Sequence, residues 1–149
     1  MAYESFTNGA VLPASKLNSA FGTSGWTTFT PTVSTGLTVG NGVWSAAYMQ
    51  IGKTVHLRIR FTLGTTSAVT APLALNLPKS GVNYGYGAGF FVTGGTNYPA
   101  IIVTGAVTLS IYAQNAAGTY LTRASTSATV PGTWASTDSF TLSVTYEAA

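Results

Sequence analysis

From residue 26 onward, apolar and polar side chains alternate in short runs with the two-residue period of a β-strand. The clearest run is 53–63 (KTVHLRIRFTL), where Val55, Leu57, Ile59, Phe61 and Leu63 share one face and His56, Arg58, Arg60 and Thr62 the other. Residues 139–146 (SFTLSVTY) repeat the pattern, with Phe140, Leu142, Val144 and Tyr146 set against Thr141, Ser143 and Thr145. A third run, 106–112, turns Val107, Leu109 and Ile111 inward, and weaker patterns predict strands at 27–33, 43–51, 73–77, 87–93, 99–104 and 119–124. Turn chemistry punctuates them. Asn41-Gly42 predicts one hairpin and Gly52 a second, while 78–81, Gly94-Gly95, 115–118 and Pro131-Gly132 mark further loops. Short strands with one apolar face each, and no helical crossovers, predict an all-β fold. The expected form is an antiparallel β-sandwich or jelly-roll-like domain over 26–149.

Residues 1–25 break the pattern and form a separate N-terminal arm. Within it, 13–21 (PASKLNSAF) predicts a two-turn helix: Pro13 suits the first turn, Leu17 and Phe21 lie four apart on one face, and Gly22 can end it. So short a helix needs a surface to pack on. Either it caps one end of its own domain, or it anchors the chain to a neighbouring subunit through Phe6, Val11, Leu12, Leu17 and Phe21.

Charge sharpens this picture. The 149 residues hold six Lys or Arg and three Asp or Glu, 6% charged in all, against about a quarter in an ordinary domain. A surface of Thr, Ser, Asn and Gly with so few charges suits a protein that works inside an assembly, as a homo-oligomer or against other subunits. The cations are scattered, apart from Lys53, His56, Arg58 and Arg60, so the net charge of +3 does not predict nucleic-acid binding. No apolar run approaches the ~18 residues of a membrane helix, and the N-terminus lacks the pattern of a signal peptide. Synthesis in the cytoplasm of the producing cell, without export through the general secretory route, is expected, with no membrane partner. There is no cysteine, so disulfides and thiolate chemistry are excluded.

Catalytic chemistry finds little material. The three acids, Glu4, Asp138 and Glu147, sit at the two ends of the chain, and a Ser–His–Asp set would have to use His56 with Asp138. His56 lies on the polar face beside Arg58, with no acid at ligand or triad spacing. We expect no catalytic residue, no cofactor and no metal, and hence no enzyme. The run Gly85-Tyr86-Gly87-Ala88-Gly89 has no helix after it to receive a phosphate and reads as a loop entering the strand at 87–93. Trp26, Trp44 and Trp134 are expected to plug the ends of the fold. Tyr84, Tyr86 and Tyr98, near turns rich in Asn and Thr, are the candidates for stacking on sugar rings of a host glycan.

The segment WTTFTPTV, the GNG turn, AAYMQIGKTVHLRIRFTLGTTS and LNLP at 75–78 together resemble a module of small structural proteins of tailed phages, particularly those of actinobacteria. VLPASKLNSAF resembles the linker helix that joins such modules to an attachment segment. The likeness covers about the first half of the chain and brings no functional residues with it. It implies a trimeric β-sandwich head displayed on a virion surface. The expected role is a capsid decoration or minor capsid protein, anchored on the major capsid protein by Phe6, Val11, Leu12, Leu17 and Phe21. The alternative is a tail-tip or tail-fibre head that recognises a host surface glycan.

Overall fold

The computed structural model describes residues 25–82 and 85–149. The helix expected at 13–21, the five apolar arm residues and Tyr84 therefore lie outside the described residues. Within them the chain is all-β, with ten strands: β1 Thr27–Thr28, β2 Val33–Thr38, β3 Val43–Ile51, β4 Thr54–Thr62, β5 Ala68–Asn76, β6 Tyr86–Thr93, β7 Thr96–Thr104, β8 Thr108–Asn115, β9 Thr122–Ser125 and β10 Ser139–Glu147. Every pairing is antiparallel. The strands form a single sheet, ordered β1-β3-β4-β10-β6-β7-β8-β5-β2, with β9 added to the far half of β8.

The sheet curls into a half-barrel around one core. Its inner face carries Val55, Leu57, Ile59 and Phe61 from β4, Phe140, Leu142, Val144 and Tyr146 from β10, and Phe91, Ile102, Leu109, Ile111, Leu73 and Leu75 from β6, β7, β8 and β5. The strict alternation of β4 and β10 thus does what it predicted. At the centre Trp44 and Phe140 flank Phe61, with ring centroids 4.3 and 5.6 Å from it. Burying a side chain of this size is worth about 1.5–3 kcal/mol.

Topology explains the curl. β2 ends the strand order and β3 lies beside the other end, yet residues 39–42 alone connect them. The two flanks of the sheet must therefore meet at this corner. Two turns lock it there. Asn41 Nδ2 donates to Thr65 Oγ1, and Asn41 Oδ1 accepts from both the amide and the hydroxyl of Thr66. Gly40 sits at φ +53°, and a Cβ there would strike the Thr66 carbonyl. Asn41-Gly42 is consequently a corner and not the hairpin its sequence predicts: β2 pairs with β5, and β3 pairs with β4. The Gly52 hairpin between β3 and β4 forms as expected.

Several boundaries move. The run at 27–33 splits around the buried Pro31 into β1 and β2, and β5 begins five residues before the expected 73. Pro31 has no amide to give a ladder, which ends the strand there. Val107 belongs to a turn and is exposed, because β8 begins at Thr108. The strand expected at 119–124 starts only at Thr122, leaving Tyr120 and Leu121 exposed in the preceding loop. Gly87 and Gly89 lie in β6, which begins one residue before the expected 87. They face inward beside β10, where a Cβ on either would collide with the Ser143 or Thr141 carbonyl. Close approach of two strands, and not flexibility, accounts for this glycine run.

Candidate binding surface

The side chains singled out for catalysis are held apart. His56 opposes Thr145 on β10, whereas Asp138 immediately precedes Ser139, which opposes Thr62. Seven residues along β10 and its lead-in separate Thr145 from Asp138, about 23 Å at the rise of a β-strand. His56 Nδ1 lies 3.0 Å from the Thr145 hydroxyl. Asp138 is buried, and its carboxylate is occupied by the backbone: Oδ2 accepts from the Ala135 amide at 2.8 Å and Oδ1 from the Gly94 amide at 3.2 Å. It ties the turn before β10 to the β6–β7 turn. Glu147 opposes Thr54 at the other end of the same ladder. No group of three His, Asp or Glu side chains gathers at metal-binding distance among the described residues.

The aromatics part company as well. Trp44 and Trp134 pack against the core, the latter edge-on to Phe91 with its Nε1 donating to the Ser127 carbonyl. Trp26 instead lies on the outer face, 39% exposed, with the Arg58 guanidinium 4.3 Å above its ring. Of the three tyrosines proposed for sugar stacking, Tyr86 is 73% exposed on the outer face of β6. Tyr98 opposes Phe91 and packs against the core, so it faces the other side of the sheet. The two do not form one site.

What the outer face does assemble is a sequence of columns. On β4 stand His56, Arg58 and Arg60. Beside them on β10 stand Thr145, Ser143 and Thr141, in register with those three in that order. Next, on β6, Ala88 opposes Ser143 and Phe90 opposes Thr141. On β7, Ile101 and Pro99 oppose Ala88 and Phe90, and Tyr112 on β8 follows Ile101. Cations, hydroxyls and apolar side chains thus lie in parallel stripes on one continuous surface. Phe90 is 44% exposed, and the Arg123 guanidinium covers the Tyr112 ring at 4.7 Å.

Neither acid among the described residues balances this charge. Asp138 is buried by its backbone partners, and Glu147 stands four rungs from Arg58. The apolar stripe was within reach of sequence reasoning. Phe90 and Phe91 are adjacent in one strand, and adjacent strand residues point to opposite faces, so one of the two had to face out.

No family model, curated protein or solved structure matches the chain. On the inner face, the Tyr146 hydroxyl donates to the Lys79 carbonyl at 2.9 Å, and burial pushes its pKa up to about 12. No helix among the described residues is long and apolar enough to cross a membrane.

Proposed function

We propose that this chain is a non-enzymatic structural module that works by adhering to a larger assembly. The observation that carries the reading is the outer face: Tyr86, Phe90 and Pro99 are exposed and Ile101 half-buried, across β10 from the exposed Arg58 and Arg60, on a chain with only nine charged side chains. An exposed apolar stripe bounded by unbalanced cations is a contact surface. The resemblance of residues 26–78 to phage structural modules supplies the assembly, the surface of a tailed-phage virion. In this reading the protein decorates the capsid or serves as a minor capsid protein. Phe6, Val11, Leu12, Leu17 and Phe21 anchor it on the major capsid protein, and the single curled sheet, in place of the expected sandwich or jelly-roll head, is displayed outward as a trimer. Locating the chain in intact particles by cryo-electron microscopy tests this. Density for the half-barrel on capsid shells supports the reading, and density at the tail tip alone refutes the capsid position.

A second reading has its own observation. The exposed Tyr86, next to a row of hydroxyls on β10, suits a head that binds a host surface glycan. Binding of the chain to host envelopes, lost in Tyr86→Ala, would establish it.

A further inference from the structure

We infer that the outer face of β4, β10 and β6 binds an acidic polysaccharide, recognised by its carboxylates as well as its sugar rings. This deepens the glycan-binding reading and rests on it. Arg58 and Arg60 lie two residues apart on one strand face, so their guanidinium groups leave the sheet about 7 Å from each other. Both are exposed, and Arg58 is steadied by the Trp26 ring beneath it. Stacking of this kind leaves the edge of the guanidinium fork available for bidentate pairing with a carboxylate.

The neighbouring columns supply the rest of a saccharide site. Ser143 and Thr141 stand beside the two arginines, where their hydroxyls can exchange hydrogen bonds with ring hydroxyls. One strand further, Phe90 and Tyr86 rise on either side of the small Ala88, leaving a shallow saddle that continues into Ile101. The apolar face of a pyranose can lie against such a stripe.

Charge decides the class of occupant. A second copy stacked in the same register would bring arginine against arginine, and the one acid on this face, Glu147, stands four rungs from Arg58. A nucleic acid would draw its affinity from several phosphates at once, and this face offers two arginines and one histidine. A polymer of uronic acids asks for few cations, many hydroxyl partners and apolar contact, which is the composition found.

The test is affinity electrophoresis and titration calorimetry on the full chain, with polygalacturonate as the probe. Neutral dextran and an oligothymidylate serve as comparisons. Polygalacturonate is expected to retard the protein and dextran to do so much less. Arg58→Gln/Arg60→Gln should weaken polygalacturonate binding by about tenfold or more, the loss expected for removing hydrogen bonds to a charged group. Phe90→Ser should weaken it as well, while Lys79→Gln, a cation outside these columns, leaves it unchanged. Unaltered melting temperatures will show that the variants fold. Equal binding to dextran and polygalacturonate overturns the acidic class but leaves the glycan reading standing. Tighter binding of the oligothymidylate, or an equal loss in Lys79→Gln, overturns the inference in favour of a phosphate polymer or of net charge. Absence of binding to either polysaccharide overturns it too, and the glycan reading falls with it only if host envelopes also go unbound.

Discussion

Asn41 and Thr66 are joined by three hydrogen bonds: the Asn41 side-chain oxygen accepts from the Thr66 amide and from its hydroxyl, each at 2.9 Å, and the Asn41 backbone amide donates to the same hydroxyl. This pair holds together two turns, 39–42 and 63–67, each of which crosses from one flank of the sheet to the other. Asn41→Ala removes the acceptor and the bond to Thr65, and it should lower stability by about 1–2 kcal/mol, since each exposed bond is worth roughly 1 kcal/mol or less. Urea unfolding checks it: the midpoint should fall at constant slope. Thr65→Ala, which loses one bond, should cost less.

The buried Asp138 should prove a structural residue. Its two oxygens each accept from a backbone amide, and Asn offers only one acceptor at that place. Asp138→Asn is expected to destabilise by about 1–3 kcal/mol, the range for leaving a buried donor unpaired. Thermal unfolding followed by circular dichroism will measure it.

Its neighbour gives the opposite prediction. Thr137 holds φ at 76°, a conformation that a β-branched residue rarely adopts, while its amide donates to the Leu63 carbonyl. Glycine keeps that bond and relieves the backbone. Strain of this kind is worth about 1–3 kcal/mol, partly offset by the greater freedom of glycine in the unfolded chain. Thr137→Gly should therefore raise the melting temperature, and an unchanged or lowered value would refute the strain.

Tyr146 sets an alkaline limit. Burial raises its pKa from 10.0 to about 12. The folded state therefore holds the proton more tightly than the unfolded state. The resulting stability is complete below pH 10 and disappears as the pH climbs towards 12. Denaturant unfolding across that range should show a steeper loss for the native chain than for Tyr146→Phe, which has no proton to release.

The parts of the fold legible in the sequence are those where one strand decides its own facing. β4 and β10 are central, each with one buried face, and their alternation specified both strands and their inward residues. The corner at Asn41 was not legible, because an Asn-Gly turn looks the same whether its flanking strands pair with each other or with distant ones. Here the partner is Thr66, 25 residues on. Why Gly87 and Gly89 stand within the strand was not legible for a related reason: the approach of β10 that demands them is a contact between segments far apart in sequence. Tyr86 was found by its type, while Tyr98, of the same type, turned inward because strand parity assigned it to the core. Phe90 and Ile101 look like core residues until parity is applied to them. Arg58 and Arg60 were visible as a polar face, but their alignment with Ser143 and Thr141 needed the register of β10.

Attachment to a larger particle, as proposed, can be measured on capsids that lack this protein. Purified chain, and the variant Leu17→Asp/Phe21→Asp, would be added to capsids of the parent phage assembled without this protein, and occupancy would be counted per particle. Anchoring by the N-terminal arm predicts saturable binding of the native chain, and loss of binding by the variant at an unchanged melting temperature. Full occupancy by the variant, or none by the native chain, would contradict it.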